Sequence, residues 1–362
     1  MNKQKKSSKT LVNFMLGIIC FVWLIPAVGL LVSSFRYRES IDSTGWWTEF
    51  PHREYQTFIT YQLPEDVNLR ESIKIEGVEY DDLAIRDGIV REDGSKIVWE
   101  SRKARLIGVQ KKRWSFLPEL TFDNYKAVLI GQKYEYTNSA GEISTVQGEN
   151  LSQAFLNSLA VTIPATVIPV MIAAFAAYVF AWMKFPGRRL LFIIVVATLV
   201  VPLQLALIPL TKDYVKLQLN GTFLSMWLAH TGFGLPLAIY LLHNYISTLP
   251  RDILESAFID GASHFTIFLR LIMPLSVPAL ASFAIFQFLW VWNDYLVSLV
   301  FLGASAGKQV LTVQLANLVG SRGQNWYFLA SGAFISMALP LLVFFSLQRY
   351  FVRGLTAGSV KG

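Results

Sequence analysis

Six long apolar runs, almost free of charge, alternate with polar segments along this chain. They are Leu11 to Val32, Phe155 to Met183, Leu190 to Thr211, Gly221 to Leu242, Leu271 to Phe301 and Trp326 to Gln348. Each is long enough for a helix that crosses the hydrocarbon core of a bilayer. An even number of crossings puts both chain ends on one side, and Lys3, Lys5, Lys6 and Lys9 set that side as the cytoplasm. Lys184, Arg188 and Arg189, then Arg251 and Arg270, then Arg349, Arg353 and Lys361 fall on the same side in this topology. The pattern predicts an all-α polytopic membrane protein with six transmembrane helices.

Residues 33 to about 150 differ in kind: they are charged and rich in β-formers, and this topology puts them outside. Ser72 to Ile75, Gly88 to Arg91, Lys96 to Trp99 and Ala104 to Val109 read as short strands, with an Asp-Gly hairpin turn in Arg91-Glu92-Asp93-Gly94-Ser95. The expected organisation is residues 1–35 for the cytoplasmic N-terminus and first helix, 36–115 for a β-rich extracytoplasmic insertion, and 116–362 for a core with helices two to six. The insertion is either a docking or sensing module or an addition without chemistry. No metal or catalytic cluster shows in it, which favours the second.

Composition narrows the class. The chain is 53% hydrophobic and 16% charged, a membrane-protein balance. A net charge of +7 would suggest nucleic acid as a partner of a soluble chain, but the positive-inside rule accounts for much of it, so nucleic acid is discounted. Cys20 is the single cysteine, which excludes an intrachain disulfide. Ile19 before it is too bulky for a lipoprotein cleavage site. The first apolar run lacks a small-residue exit and reads as an uncleaved helix.

The polar island from Leu249 to Pro278 reads as two helices meeting at a glycine. Pro250 fits a first helical position, and Asp252 and Glu255 lie near the positive end of the helix dipole. Ile253, Leu254, Ala257 and Phe258 make one apolar stripe that Asp260-Gly261 ends, with Gly261 expected in a left-handed conformation. Ser263 caps the second helix, and Pro274 and Pro278 mark the passage into the next apolar run.

Glu255-Ser256-Ala257, then three residues, Gly261, then nine residues and Leu271-x-Met273-Pro274 resemble the EAA loop, E-A-A-x3-G-x9-I-x-L-P, of the membrane subunits of binding-protein-dependent ABC importers. Ser256, Leu271 and Met273 are departures from it. Leu120 to Tyr125, Asn157-Ser158-Leu159, Ala176 to Phe180, Phe185 to Arg189, Leu217 to Phe223, Trp292-Asn293-Asp294 and Gly354 to Gly362 extend the resemblance to sugar permeases. The maltose-type G permease group is the nearest in character, specifically alpha-glucoside permeases with an enlarged first external loop.

The resemblance implies a type I ABC importer permease fold in a bacterial inner membrane, with a cytoplasmic coupling loop at residues 246–274. It implies no catalysis in this chain, with ATP and magnesium held by a partner ATPase. The partners implied are an F-type second permease, an ABC ATPase dimer and an extracytoplasmic solute-binding protein. The cargo implied is an oligosaccharide, an α-glucoside before another sugar or a polyol. Glu255, Ser256, Ala257, Asp260, Gly261 and Pro274 are the coupling residues by this resemblance, and Gly354 and Lys361 belong to an ATPase-contacting tail. A secondary transporter should show internal repeats, and a membrane-anchored sensor needs neither six spans nor a structured cytoplasmic loop.

Gly303 to Gln309 looks like a phosphate loop but has the wrong glycine spacing and no Ser/Thr after Lys308, so it reads as a flexible loop. Asp294 is an acid within an apolar run, hence a functional candidate. Gln287, Asp294 and Ser298 share one helical face with Trp290 between them. With Asn293, this face either lines the translocation path, a tryptophan stacking on sugar rings, or bonds to a neighbouring helix. The maltose-type resemblance, in which sugar contacts fall mainly on the partner permease, favours the second. His230 and His243 do not make a metal site. Pro164, Pro169, Pro202 and Pro209 predict kinks, tolerated where neighbours satisfy the freed carbonyls.

Overall fold

The computed structural model describes residues 2–65, 67–69, 72–115, 120–131, 133–137, 143–147, 150–303, 307–321 and 326–356. The chain packs as two compact units, Met1–Thr121 and Phe122–Gly362.

The first unit begins with helix α1 (Asn2–Ser34), whose Lys9–Ser34 portion is long and apolar enough to cross a membrane; it is exposed from Lys9 to Pro26 and mostly half-buried or buried beyond. After it the chain turns at Arg36, which is almost wholly buried. Its guanidinium meets Glu49 Oε1 at 2.6 Å, donates to the carbonyls of Ser40 and Thr44 at 2.9 and 3.0 Å, and bonds the Thr44 hydroxyl. A buried arginine is tolerated only when paired and satisfied in this way. It fixes the short helix α2 (Arg38–Ser43) and the 3-10 turn Trp46–Glu49 over the end of α1.

Beyond this turn lie β1 (His52–Gln62), β2 (Ile73–Ile75), β3 (Val78–Tyr80), α3 (Asp82–Asp87), β4 (Ile89–Val90), β5 (Lys96–Ser101) and β6 (Leu106–Ser115). An antiparallel sheet in the order β1-β6-β5-β4 and the β2-β3 pair enclose Ile73, Ile75, Ile85, Ile97, Ile107 and Val109. The Asp-Gly turn joins β4 to β5: Gly94 takes a φ of 78°, and Asp93 Oδ1 accepts the Ser95 N–H at 2.9 Å. The chain returns where it left, since Thr121 N–H donates to the Phe35 carbonyl and Leu120 bridges Arg36.

Asp82 ties α3 to the sheet. Arg102 donates to both its oxygens, at 3.1 and 3.0 Å, Trp99 Nε1 donates at 3.0 Å, and Arg86 lies 3.0 Å away. The Arg102 hydrogen bond outweighs burial and holds the Asp82 carboxyl below the usual carboxylate range. A depressed pKa contributes stability that is present above the unfolded value, near 3.9 for aspartate, and is lost as pH falls through the folded one. Protease resistance of the sheet should therefore hold to about pH 4 and drop below it. Asp82→Asn should lower resistance at neutral pH and flatten that acid-side drop; an unchanged acid profile in the variant would count against the assignment.

The second unit holds α4 (Asp123–Ile130), β7 (Lys133–Thr137), β8 (Ile143–Gln147), α5 (Ser152–Trp182), α6 (Arg188–Ala197), α7 (Leu203–Lys216), α8 (Phe223–Ile246), α9 (Arg251–Ile259), α10 (His264–Ile267), α11 (Met273–Leu275), α12 (Val277–Trp292), α13 (Leu296–Phe301), α14 (Leu311–Ser321) and α15 (Trp326–Thr356). Among the described residues, four helices are each long and apolar enough to cross a membrane, or up to six crossings if each of two bent pairs is one span. Those pairs are Arg188–Val200 with Leu203–Lys216, bent by 101°, and His264–Leu275 with Val277–Trp292, bent by 73°.

The kink expected at Pro202 within Leu190 to Thr211 is a bend of 101°, and the run Leu271 to Phe301, expected as one span, is bent and interrupted. Pro202 forces Val201 into an extended conformation (ψ 117°) and α7 restarts after it. The second run is interrupted again after Trp292, where Asn293 to Tyr295 separate α12 from α13.

The prolines of α5 behave differently, and the reason is local. A proline at position i removes the donor that would have met carbonyl i−4. Pro164 frees Ala160, whose carbonyl accepts Trp227 Nε1–H from α8 at 3.0 Å. Pro169 frees Ala165, whose carbonyl accepts Gln287 Nε2–H from α12 at 3.1 Å. Pro340 in α15 frees Ser336, whose carbonyl accepts Trp292 Nε1–H at 2.9 Å. Each orphaned acceptor is filled by a side chain from another helix, and α5 stays helical through both its prolines.

Two apolar clusters stack along α5 and α8. One gathers Ala173, Ala174 and Ala177 of α5, small residues that permit close approach, with Ala238, Leu242 and Ile246 of α8 and Phe283 of α12. The other joins Val161 and Ala165 of α5 to Leu207 and Tyr214 of α7, Met226 of α8 and Phe301 of α13.

Candidate coupling loop and polar cluster

Helix α9 starts after Pro250, which is its N-cap (φ −60°, ψ 127°) instead of the first helical residue expected. Proline suits either place, because its fixed φ and missing N–H conflict with neither. The helix ends as its sequence requires. Gly261 is left-handed at φ 78°, its N–H donates to the Phe258 carbonyl, and Ala262 N–H donates to the Ala257 carbonyl, both at 3.0 Å. This pair of bonds is a Schellman closure. Ser263 Oγ then accepts the Thr266 N–H at 3.2 Å and starts α10.

The apolar stripe of α9 is not buried as a unit. Leu254 is buried in the cluster beneath and Ala257 is packed against it, whereas the flanking Ile253 and Phe258 are exposed. Ile259, one helical turn after Glu255, is 86% exposed on the face away from Leu254. Glu255, Ser256 and Asp260 are exposed too, with Ser256 Oγ bonded back to the Asp252 carbonyl at 2.8 Å. Pro274 is exposed within α11. The loop therefore shows outward a surface of Asp252, Glu255 and Ile259, with Phe265 exposed on the next helix.

What holds it was not legible beforehand. Tyr178, near the end of α5 and buried, hydrogen-bonds His264 Nδ1 at 2.8 Å, and the His264 ring also packs edge-on to Phe258 at 4.9 Å. Tyr178 falls in the Ala176 to Phe180 stretch of the resemblance, but its separation of 86 positions from His264 hides the pair from any local pattern. After α10 the chain makes a π-helical turn, Phe268–Ile272, whose Phe268 and Ile272 are buried in the same cluster.

The second set of candidates lies at the α12–α13 break. Because the helix stops at Trp292, Gln287, Asp294 and Ser298 do not share one continuous face as expected. The Asp294 carboxylate accepts the N–H groups of Val297 and Ser298 at 3.3 and 2.9 Å and so closes the start of α13. An aspartate beside unpaired N–H groups is what draws the break to this residue. Its Oδ2 also lies 3.7 Å from His230 Nε2 of α8, and its backbone carbonyl accepts Thr312 Oγ1–H at 2.6 Å. Asn293 instead bonds the Leu289 carbonyl of its own helix and is exposed, so it does not reach a neighbour.

Gln287 is fully buried; besides Ala165 it donates to the His230 carbonyl at 3.2 Å. Gly234 leaves the room it needs, since a Cβ there would come within 2.6 Å of Gln287 Oε1. Trp290 lies edge-on to His230 at 5.4 Å and borders a cleft of about 350 Å³ with Leu199, Val201, Gly232 and Phe233. His230, weighed in the sequence only as a metal ligand, was not joined to this cluster there; its meaning depends on what α12 brings to it.

Gly303 to Gln309 is not the wholly flexible loop expected. Lys308 donates to the Gly221 carbonyl at 2.8 Å, and Asn157 Nδ2 donates to the carbonyls of Gly307 and Gln309, each at 2.9 Å. Ala304 to Ala306 lie outside the described residues. Of the tail, Gly354 falls within α15, and Lys361 lies outside the described residues.

Several apolar helices and an exposed, helix-turn-helix loop pinned beneath them define a polytopic membrane protein of the transport-permease class. Residues 169–357 match the family described as binding-protein-dependent transport system inner membrane component, and the chain belongs to it. It is a permease subunit of an ABC importer. It is 48% identical over 343 residues to the osmoprotective compounds uptake permease protein GgtD of Synechocystis, covering 95% of this chain and 89% of that one. It is 45% identical to the alpha-glucoside transport system permease protein AglG of Rhizobium meliloti over the whole of both chains. The trehalose transport system permease protein SugB of Mycobacterium tuberculosis is 34% identical, covering 67% of this chain and 83% of that one. Among solved structures, a bacterial ABC transporter involved in alginate import shares the fold, with a TM-score of 0.50 at 22% identity, covering 65% of this chain and 82% of that one.

Proposed function

We propose that this chain is one half of a heterodimeric permease that takes up oligosaccharides, α-glucosides in particular, across a bacterial inner membrane. The observation that carries the reading is the 45% identity to an alpha-glucoside permease along the entire length of both chains. The chain crosses the membrane six times, with each bent pair one span, both termini cytoplasmic and residues 36–115 outside. An F-type second permease completes the pathway, and a solute-binding protein delivers the sugar. A dimer of ABC ATPases binding ATP and magnesium drives it. The surface of Glu255, Ile259 and Phe265 lies in a groove on one ATPase, an amphipathic helix in a cleft. Closure of the ATPases then moves the helices as rigid bodies and switches access. Glu255, Ser256, Ala257, Asp260, Gly261 and Pro274 act in this coupling, and Gly354 and Lys361 in the tail contact the ATPase.

The likeness to an osmoprotective-compound permease supports a second reading, in which the cargo is a small compatible solute or polyol. ATP hydrolysis by the reconstituted complex separates the two. Stimulation by binding protein loaded with α-linked disaccharides supports the first, and stimulation only by osmoprotective solutes supports the second. No stimulation by either would overturn both.

The cleft beside Trp290 is the place where this subunit meets the sugar, its indole face offered for stacking. Trp290→Ala should slow sugar uptake by up to about tenfold, the loss of roughly one aromatic stacking contact, with basal ATP hydrolysis unchanged. Unaltered uptake would remove this cleft from the path.

A further inference from the structure

The ribbon formed by β1 and β6 is basic on both faces at the end nearest α1. Arg53 pairs in register with Trp114, and Tyr55 with Lys112, which places all four on one face by the alternation of strands. Lys96 of β5 joins that face, 5.8 Å from the Tyr55 ring. On the other face Lys111 and Arg113 lie over Phe58 at 5.1 and 5.6 Å. Arg53 lies 5.3 Å from the Trp114 ring and Lys112 lies 5.1 Å from that of Tyr55. Among the described residues none of these five cations has a carboxylate within ion-pair distance. Glu54 stands opposite Arg113 but is turned to His52 and Gln56, and Asp93 is hydrogen-bonded by Ser95 and makes no ion pair with Lys111.

The place of this ribbon relative to the bilayer follows from α1. Trp46 packs on Gly29, where a Cβ would come within 2.7 Å of its indole nitrogen. Gly29 is five residues, about 7 Å, short of the end of the spanning helix, which sets Trp46 at the membrane interface, where tryptophan prefers to sit. Phe50 stacks edge-on with it at 6.0 Å. Glu49, held by Arg36 just past the helix, is four residues from Arg53, so their Cα atoms are at most about 14 Å apart. The return bonds at Phe35 and Arg36 tie the other strand to the same point.

We infer that the β1-β6 ribbon lies on the bilayer surface and binds the phosphates of anionic phospholipid headgroups through Arg53, Lys96, Lys111, Lys112 and Arg113, with Trp114 and Trp47 in the interface. Each such cation near a charged membrane surface strengthens association on the order of fivefold. The spread of charge over both ribbon faces suits a layer of headgroups that closes around the side chains. The inference rests on α1 being a span and is independent of the cargo.

The test uses the full chain in its assembled complex, with Cys20→Ala and Thr57→Cys carrying bimane, in nanodiscs containing a phosphatidylcholine with a nitroxide on its headgroup. Thr57 is exposed and about 16 Å along the strand from His52, so it comes within quenching range only if the ribbon lies down. Quenching should appear when phosphatidylglycerol is added, fall at least fivefold in Lys111→Gln/Lys112→Gln/Arg113→Gln, and persist in Lys111→Arg/Lys112→Arg/Arg113→Lys. Equal quenching without phosphatidylglycerol, or in the neutralised variant, overturns the inference. So does unchanged quenching together with weakened docking of the solute-binding protein, which would make the ribbon a protein contact. Should the triple variant not assemble, Arg53→Gln and Lys112→Gln singly must each reduce quenching, and if neither does the inference fails.

Discussion

Glu255→Lys and Gly261→Val should each leave the protein inserted in the membrane and abolish uptake. The two act by different physics. Glu255 is exposed in this chain, so its substitution costs little folding stability; ordinary surface changes stay within about 0.5 kcal/mol. On the coupling role proposed above, Glu255 would pair with a basic group of the ATPase groove, and breaking such a pair from one side typically costs about 2–5 kcal/mol, to which lysine adds repulsion. Gly261 meets nothing within 4 Å of where a Cβ would stand, so valine there causes no clash. The strain is in the backbone alone, about 1–2 kcal/mol for a residue with a Cβ in the left-handed region and more for a branched one. Relief of that strain opens the Schellman closure and misdirects α10. Glu255→Lys should therefore release the ATPase more readily on purification than Gly261→Val. Full stimulation of ATP hydrolysis by the binding protein in both variants would falsify the coupling role of the loop.

Gln287→Leu should destabilise the helical unit by about 1–3 kcal/mol, the cost of an acceptor left unsatisfied in an apolar interior. The cost should shrink in a Pro169→Ala background, because the backbone N–H restored at that position then meets the Ala165 carbonyl from within the helix. This coupling between two residues more than a hundred positions apart is a double-mutant cycle with a definite sign, near 1 kcal/mol, measured by thermal unfolding in detergent. Additive effects would mean that Gln287 acts only through the His230 carbonyl or through packing.

How much of this was legible in the sequence depended on whether the cause was local. Apolar runs marked the regions of the bundle, because burial in lipid or protein leaves a composition signal. Asp93-Gly94 and Asp260-Gly261 marked their turns, because a positive φ needs glycine. The 101° bend was half legible: Pro202 announced an interruption and nothing nearby announced its size. Strand β1 was missed altogether, since His52 to Gln62 lies exposed or half-exposed, without the alternation that a one-sided sheet would impose. The hairpin of β7 and β8 was missed as well. The loop motif was read from resemblance, but the burial of Leu254, the outward turn of Ile259 and the Tyr178–His264 bond depend on α5 and the cluster beneath it. The polar residues around the α12 break were named without His230, the residue they surround.

The two bonds that hold α5 have a mechanical consequence. Asn157 fastens one end to the carbonyls of Gly307 and Gln309, and Tyr178 fastens the other to His264. Tyr178 is 21 positions beyond Asn157 on unbroken helix, roughly 31 Å at 1.5 Å per residue. A rod of that length pivoting by about 10° about its Asn157 end carries Tyr178, and the loop with it, through roughly 5 Å, close to one helical turn. The helix is thus built as a lever arm, with its fulcrum at the Asn157 end and its load at the Tyr178 end.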